Sequence, residues 1–357
     1  MKILVIALSG IGDALMFSPA LNLLKHSIPD SEIDMLVMFK GSKDIFRYNP
    51  NISKLLHFDF MSQGFINSLR FILELRKNYD ITINVYPSNR KEYNIINFII
   101  GAKKRVAVRY KRMFAKNFGW LNNILIDEND ETHNVETNVR MIEKLLNQKF
   151  IDIPPMEIFL SADEEIFSKR YLENLKIDED DLVIGIHPGC ATLKNHIKRR
   201  WEPEKFIEIS KRLISEFNVK ILLFGGSEEE ELKLKIFNGI NSNQVYIVKT
   251  ASLLQSSAIM RRCNLFLTND SALMHIASAL SINVACIIGP TNIKYIYPWK
   301  TTYKVISLQL ECSPCFFYSP KPLSCKRNDI KFKCIKELTV DYAFESIKDF
   351  ITKIRTN

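Results

Sequence analysis

The feature that most constrains the fold is an apolar, largely β-branched run over residues 2–8 that ends directly in a glycine-rich turn. Such a run is typical of a strand that is buried on both faces of a parallel sheet. A helix is predicted next, over residues 15–26, and strand and helix signals then alternate along the chain. This alternation predicts an α/β protein with doubly wound parallel sheets.

The length of 357 residues is enough for about two domains. Two prolines within residues 151–155 predict a connection, and a strand over 182–187 restarts the alternation. We therefore expect a Rossmann-like domain over residues 1–155, a second Rossmann-like domain over 156–335, and a terminal helical segment over 336–357.

No apolar run approaches the roughly 18 residues that a membrane helix needs. The apolar start of the chain meets Gly10, Gly12 and Asp13 without a small-residue cleavage site, which argues against a signal peptide. An aromatic content of 11% and a hydrophobic content of 46% exclude a disordered chain. These features predict a soluble, cytoplasmic protein.

The chain carries 49 Lys and Arg against 40 Asp and Glu, a net charge of +9. This excess either serves solubility alone or indicates a polyanionic partner, such as a nucleic acid, a nucleotide-linked substrate or an anionic membrane surface. Basic residues interleaved with aromatic ones extend over residues 103–116. Because no nucleic-acid-binding module surrounds them, we favour a lipid or glycolipid surface and expect no nucleic acid partner.

The first glycine turn, Ser9 to Asp13, invites comparison with the dinucleotide-binding fingerprint, but it does not fit. The last glycine of that fingerprint is replaced by Leu15, and Asp13 would direct a carboxylate at the pyrophosphate. Two interpretations of Asp13 remain. It is either an acidic residue that stabilises a helix N-terminus, or a general base that accepts a proton from an attacking hydroxyl.

The second half of the chain carries groups suited to binding an anion. Lys198, Arg199 and Arg200 end a basic loop that binds phosphate or is simply solvated. Asn269, Asp270 and Ser271 lead from a strand into a helix, where they bind a diphosphate or only cap the helix. His275 lies one turn further on, on the same helix face as Ser271. Glu228 and Glu229 lie at another strand-to-helix turn. Their carboxylates either bind ribose hydroxyls or belong to a solvated first turn of the helix.

Four of the seven cysteines crowd into one segment: Cys312, Cys315, Cys325 and Cys334. Four thiols at such spacing can surround a zinc or iron ion, so a structural metal is one hypothesis. Free thiols are an equal alternative, and disulfides are a third.

The order of these motifs resembles glycosyltransferase family nine, the bacterial lipopolysaccharide heptosyltransferases and their relatives. The resemblance spans about residues 1–340, and the stretch from Asn269 to His275 is its most specific part. It implies a GT-B fold with two Rossmann-like domains facing across a cleft and a C-terminal helix that returns to the first domain. It also implies inverting, metal-independent transfer of heptose from ADP-heptose to a lipopolysaccharide core acceptor.

The resemblance also implies roles for individual residues. Asp13 matches the catalytic base, with Ser9, Gly10 and Gly12 at the acceptor side. The implied donor-binding residues are Thr192, Lys198, Arg199, Arg200, Glu229, Asn269, Asp270, Ser271 and His275. The implied partners are ADP-heptose and an anionic glycolipid at the cytoplasmic face of the inner membrane. No cofactor is expected for catalysis, although one branch of the family binds iron through clustered cysteines.

The chain departs from the family pattern at Ala272, which stands in place of a glycine, and in a longer loop over residues 187–201. Donor identity is therefore less constrained than the fold. The alternatives are a relative that uses a protein acceptor or another nucleotide sugar, and a non-catalytic binding protein that keeps the fold.

Overall fold

The computed structural model describes residues 1–317 and 322–356, and these form two compact units. The first unit contains Met1–Phe159 and the short segment Lys294–Ile296. The second contains Leu160–Ile293, Tyr297–Phe317 and the described residues from 322 onwards. The main division after Phe159 lies slightly beyond the boundary predicted at residue 155.

The first unit is a parallel six-stranded sheet covered by helices. Its strands are β1 (Lys2–Ala7), β2 (Glu32–Val37), β3 (Lys54–His57), β4 (Ile81–Asn84), β5 (Lys104–Arg109) and β6 (Ile124–Asp127). Its helices are α1 (Ile11–Leu15), α2 (Ser18–Ser27), α3 (Lys40–Phe46), α4 (Gly64–Glu74), α5 (Lys91–Ile100) and α6 (Asn134–Leu146). A short 3₁₀ helix spans Gly119–Leu121.

The strand order of this sheet is β3-β2-β1-β4-β5-β6. The chain therefore winds outward from β1 in one direction and from β4 in the other, so the crevice beside their carboxyl ends is the switch point. The predicted strand over residues 2–8 is β1, and Ile3–Ala7 of it are buried. Burial on both faces explains why the strand is a continuous apolar run rather than an alternating one.

The second unit repeats this architecture. Its strands are β7 (Val183–His187), β8 (Lys220–Leu223), β9 (Val245–Ile247), β10 (Leu265–Asn269), β11 (Asn283–Ile287) and β12 (Tyr303–Ile306). Its helices are α7 (Ala162–Asn174), α8 (Pro203–Phe217), α9 (Glu230–Ile240), α10 (Leu253–Met260), α11 (Ala272–Ala279), α12 (Ile293–Ile296, whose last three residues belong to the first unit), α13 (Lys333–Lys336) and α14 (Val340–Thr356). Two 3₁₀ segments span Leu193–Arg199 and Ser227–Glu229.

The order β12-β11-β10-β7-β8-β9 places the switch point of the second sheet between β7 and β10. All residues of both strands are buried. A ligand can therefore approach these strands only at their carboxyl ends. Two doubly wound α/β units of this kind confirm the predicted fold class. Within the described ranges, no helix is both long and apolar enough to span a bilayer.

The terminal helix α14 belongs to the second unit. Its residues Phe344, Ile347 and Ile351 are buried in the core of the second unit, where α14 packs against α8 and β12. Arg212 of α8 also lies over the ring of Phe344, with its guanidinium carbon 4.1 Å from the ring centroid. This apolar face of α14 is thus covered within the second unit, and the return of the helix to the first domain stays a prediction from the family resemblance. The amphipathic pattern showed that the helix needed a partner, but it did not show which unit supplies one.

We predict that Ile347→Ala destabilises the second unit by about 2–5 kcal/mol, because it leaves a cavity in a fully buried core. The matched change Glu345→Ala, on the exposed side of the same helix, should alter stability by about 0.5 kcal/mol or less. Urea denaturation of both variants measures the difference. Equal stabilities would show that α14 contributes nothing to this core.

Candidate functional site

A cluster of buried polar residues lies at the switch point of the second sheet, where β7 and β10 end side by side. His187 is the last residue of β7, and Asn269, Asp270 and Ser271 end β10 and begin α11. All four side chains are less than one-tenth exposed. Because buried polar groups require partners, their contacts define what this part of the fold can bind.

His187 connects two of the predicted donor-binding residues. Its Nδ1 lies 3.0 Å from Oγ of Ser271, and its Nε2 lies 2.9 Å from Oε2 of Glu229. A carboxylate only accepts hydrogen bonds, so Nε2 donates to Glu229, and in the neutral ring Nδ1 accepts from the Ser271 hydroxyl. The Ser271 hydroxyl therefore holds His187, and the backbone at the start of α11 remains for a ligand.

Glu229 is held as a carboxylate by its neighbours. Arg200 donates to its Oε1 at 3.0 Å, and the backbone N–H of Gly226 donates to its Oε2 at 3.3 Å. Burial would raise the pKa of Glu229, but the hydrogen bond from His187, the charge of Arg200 and the backbone N–H of Gly226 outweigh it and lower the pKa below its usual value. Gly189 makes room for this carboxylate, because a Cβ there would lie 1.6 Å from Oε1.

Arg199 and Asp270 form a second buried ion pair, with Nη1 of Arg199 2.6 Å from Oδ2 of Asp270. Thr291, which follows the Gly-Pro turn after β11, donates its hydroxyl to the same oxygen at 2.6 Å. The guanidinium of Arg199 also lies over the ring of Phe316. Arg199 is thus held in place at one end of the α11 turn.

Asn269 fixes the loops around these pairs. Its side-chain amide donates to the carbonyl of Pro188 at 2.7 Å, and its Oδ1 accepts the backbone N–H of Trp201 at 3.0 Å. Trp201 is buried, and its indole N–H donates to the carbonyl of Leu338 at 2.9 Å. The ends of the basic loop are therefore tied to β10 and to the core of the second unit.

The four central charges of the site balance, because Arg199 and Arg200 are paired with Asp270 and Glu229. Attraction for an anion therefore depends on the N-terminus of α11, whose first N–H groups have no partner within the helix. It also depends on Lys198, which is exposed at the end of the basic loop. The second exposed donor-binding candidate is Thr192, which immediately precedes the 3₁₀ segment Leu193–Arg199.

Two histidines in this region are neutral at physiological pH. Burial lowers the pKa of His275 to about 4, and burial together with the nearby Arg199 charge lowers the pKa of His196 to about 4. Within the described part of the chain, Nδ1 of His275 is buried without a hydrogen-bond partner. A ligand or a water molecule would satisfy this nitrogen.

In the first unit, Asp13 lies in the five-residue helix α1, beside the carboxyl end of β1. Its Oδ2 accepts the backbone N–H of Gly10 at 3.2 Å, which is the helix-capping contact expected of an N-terminal acidic residue. The side chain is half-buried, and Gly12 beside it is buried. The neighbouring Ser9 donates its hydroxyl to the carbonyl of Pro87, which follows β4. Capping does not exclude catalysis, because each carboxylate oxygen can accept more than one hydrogen bond.

Two buried tyrosines lie close enough to Asp13 to be affected by its charge. Burial raises the pKa of Tyr93 to about 12, and Asp13 contributes to this shift. Burial also raises the pKa of Tyr110, with a smaller contribution from Asp13. The Tyr93 hydroxyl donates to the carbonyl of Leu8, immediately before the turn. These contacts place α5 beside the Asp13 turn.

The clustered cysteines do not form a metal site in the described residues. Within them, no group of three or more His, Cys, Asp or Glu side chains is placed to hold an ion. Cys334 is buried, whereas Cys312 and Cys315 are exposed. Sγ of Cys325 accepts the backbone N–H of Phe332 at 3.3 Å. The arrangement of these side chains in the described residues therefore gives the structural-metal hypothesis no support.

Sequence reasoning missed His187 and Thr291 as members of the site. His187 was detectable in principle, because a polar residue that ends a buried strand at a switch point faces the ligand crevice. Thr291 gave no such signal, since its bond to Asp270 depends on how the turn after β11 folds back. The structure brings together all of the predicted donor-binding residues except the exposed Thr192 and Lys198, whose contacts do not join this network.

The comparisons with known proteins agree with this architecture. The sequence model of glycosyltransferase family 9 (heptosyltransferase) matches residues 68–323. The chain belongs to this family. It is 26% identical to lipooligosaccharide heptosyltransferase 2 of Campylobacter jejuni serotype O:6, over 99% of this chain and 100% of that protein. It is also 24% identical to lipopolysaccharide heptosyltransferase 2 of Escherichia coli K12, over 86% and 88%.

Solved structures show the same fold. The ADP-heptose heptosyltransferase II of E. coli matches with a TM-score of 0.74 and 19% identity, over 99% of each chain. A family 9 glycosyltransferase from Veillonella parvula matches with a TM-score of 0.71 and 21% identity, over 85% of each chain. The family match makes the chain a glycosyltransferase, and its two Rossmann-like units have the GT-B-type fold of these structures.

The low pKa of His275 predicts a pH-dependent stability. The unfolded chain, with an ordinary histidine pKa near 6.5, binds a proton before the folded chain does, since the folded value is about 4. The contribution of neutral His275 to the free energy of unfolding is fully present above pH 6.5 and is lost as the pH falls towards 4. His275→Gln should reduce the fall in Tm over this interval, whereas His26→Gln, at an exposed site, should not. Identical Tm profiles for His275→Gln and the parent chain would contradict this account.

Proposed function

We propose that this family member is an inverting, metal-independent heptosyltransferase that uses ADP-heptose as its donor. The proposed acceptor is a lipopolysaccharide core or a related surface glycan, met at the cytoplasmic face of the inner membrane. The relatives support the proposal, because two are named lipooligosaccharide and lipopolysaccharide heptosyltransferases. The observation that carries it is the buried network at the start of α11, with His187, Arg199 and Arg200 held around an anion-accepting helix N-terminus.

In this proposal the second unit binds the donor. The first N–H groups of α11 and the exposed Lys198 bind the diphosphate, while Arg199 stabilises the turn through Asp270. His275 offers its buried, unpartnered Nδ1 to the donor. Glu229 acts mainly by positioning His187 and Arg200, because both of its oxygens already accept hydrogen bonds from the protein. The helix N-terminus and Lys198 carry out the charge stabilisation that a divalent cation provides in other transferases.

Asp13 of the first unit is the proposed general base. Its carboxylate takes the proton from the acceptor hydroxyl, and the oxygen attacks the anomeric carbon on the face opposite the diphosphate. A new C–O bond forms while the bond to ADP breaks, and ADP leaves with the electron pair. Configuration at the anomeric carbon is therefore inverted. Removing water from the reacting groups would protect the donor from hydrolysis.

Asp13→Asn tests the base directly. The asparagine side-chain oxygen can still accept the Gly10 N–H, so the cap is retained while the proton acceptor is lost. We expect kcat for heptose transfer to fall by about 10²–10⁴-fold, with the Kd for ADP unchanged. Asp30→Asn, at an exposed position, is the matched control. Undiminished transfer by Asp13→Asn would refute the assignment.

Nucleotide selectivity tests the donor. We expect ADP to raise the Tm of the full chain more than UDP or GDP at equal concentration, since ligand binding to the folded state stabilises it. Lys198→Gln should weaken this stabilisation, whereas Lys211→Gln, which changes an exposed lysine of α8, should leave it unchanged. Stabilisation by UDP or GDP in preference to ADP would indicate another nucleotide sugar.

A further inference from the structure

The positive charge of this protein is concentrated in one segment of the first unit. Residues 61–123 contain twelve Lys and Arg but only three Asp and Glu, an excess of nine. The net charge of the whole chain is also +9, so the remaining residues are neutral overall. An excess that served solubility alone would have no reason to gather in one segment.

The same segment exposes an unusual amount of apolar surface. Helix α4 presents Phe65, Ile66 and Leu73 to solvent, with exposed fractions of 80%, 81% and 46%. Met61, just before the helix, is 67% exposed. Residues 65, 66, 69 and 73 lie along one stripe of the helix. Scattered exposed apolar residues are ordinary, but a stripe of this kind marks an interaction surface.

The opposite face of α4 explains why this stripe is exposed. Ile72 and Leu75 pack into the core over the sheet, together with Ile96 and Ile100 of α5. Phe71 stacks on Phe58, with ring centroids 4.3 Å apart. The helix is therefore anchored by one apolar face while a second apolar face remains outside. The packing of α4 in the first unit does not require the second face to be apolar.

Helix α5 and the following 3₁₀ turn extend this surface. α4 packs against α5, and α5 packs against Gly119–Leu121. On α5, Phe98 is 51% exposed, and on the turn Trp120 is 60% exposed. The guanidinium of Arg105 lies over the Phe98 ring, 5.6 Å from its centroid. Aromatic rings beside cationic side chains are typical of residues at a membrane interface.

We propose that this surface, which we call the docking face, binds the headgroup region of an anionic phospholipid bilayer. It comprises the exposed apolar side chains Phe65, Ile66, Leu73, Phe98 and Trp120, with Arg105 over the Phe98 ring and the neighbouring exposed Lys103 and Lys104. The inference rests on the proposed function, because a glycolipid acceptor is presented by a membrane. Apolar side chains enter the interface while Lys and Arg pair with lipid phosphates.

The position of α5 links this face to the proposed base. Its residue Tyr93 donates to the carbonyl of Leu8, next to the turn that carries Asp13. A bilayer on the docking face would therefore lie beside the acceptor side of the first unit. An acceptor sugar projecting from such a surface would have a short path to Asp13.

Sedimentation of the full chain with lipid vesicles tests the docking face. We expect binding to vesicles of phosphatidylcholine mixed with phosphatidylglycerol, weak binding to phosphatidylcholine alone, and release by high salt. The double variant Phe65→Ser/Ile66→Ser should lower the vesicle partition coefficient by about tenfold or more. Lys103→Gln/Lys104→Gln should lower both the partition coefficient for anionic vesicles and the salt dependence of that binding.

Matched controls use exposed residues outside the docking face. Ile151→Ser changes the most exposed apolar side chain among the described residues, at 104%, and Lys169→Gln/Lys211→Gln removes two exposed lysines of the second unit. Both should bind vesicles like the parent chain. Circular dichroism and Tm should be unchanged in every variant, since all these side chains are exposed. Equal loss in docking and control variants would overturn the proposal.

Two other results would also overturn it. One is an absence of binding to anionic vesicles by the parent chain. The other is a Phe65→Ser/Ile66→Ser variant that changes only the oligomeric state, measured by light scattering, because that result would assign the face to a second copy of the chain. Transfer to a lipid-free core oligosaccharide separates the two proposals. Failed transfer with intact vesicle binding refutes only the function, and intact transfer without vesicle binding refutes only the docking face.

Discussion

The site depends on two buried ion pairs at the carboxyl ends of β7 and β10. Arg199 is paired with Asp270, and Arg200 with Glu229, which also accepts from His187. Removing one member of such a pair leaves an uncompensated buried charge and costs about 3–5 kcal/mol. The pairs therefore hold the α11 turn and the basic loop in one arrangement. This requirement explains why so many charged residues of the second unit are buried.

The pairing also determines which groups recognise a ligand. Arginines that neutralise neighbouring carboxylates contribute position more than net charge, so the proposed function assigns anion binding mainly to backbone N–H groups and to Lys198. Backbone donors of this kind are fixed before a ligand arrives, and fixed dipoles stabilise developing charge without reorganisation. His275 stays neutral because it is buried, so its proposed interaction with the donor is a hydrogen bond rather than a charge interaction.

Much of the fold was predictable because buried parallel strands leave a strong signal. The continuous apolar runs of β1, β7 and β10 mark the centre of each sheet. Weaker elements such as β6 and β12 were not predicted, since a four-residue strand near the sheet edge lacks that pattern. Helix α14 was predicted, whereas its packing against α8 and β12 was not, because an amphipathic face does not specify what it packs against. Similarly, the motif residues of the site were identified from the sequence, while the pairing of Arg200 with Glu229 depends on contacts between loops distant in sequence.

The central claim is that the N-terminus of α11 binds the diphosphate of the donor. A crystal structure of the full chain with ADP bound tests this claim most directly. The account predicts phosphate oxygens within hydrogen-bonding distance, about 3 Å, of the first backbone N–H groups of α11, with the Arg199–Asp270 and Arg200–Glu229 pairs intact. A nucleotide bound at the Gly10 turn of the first unit, with the α11 turn left empty, would contradict it.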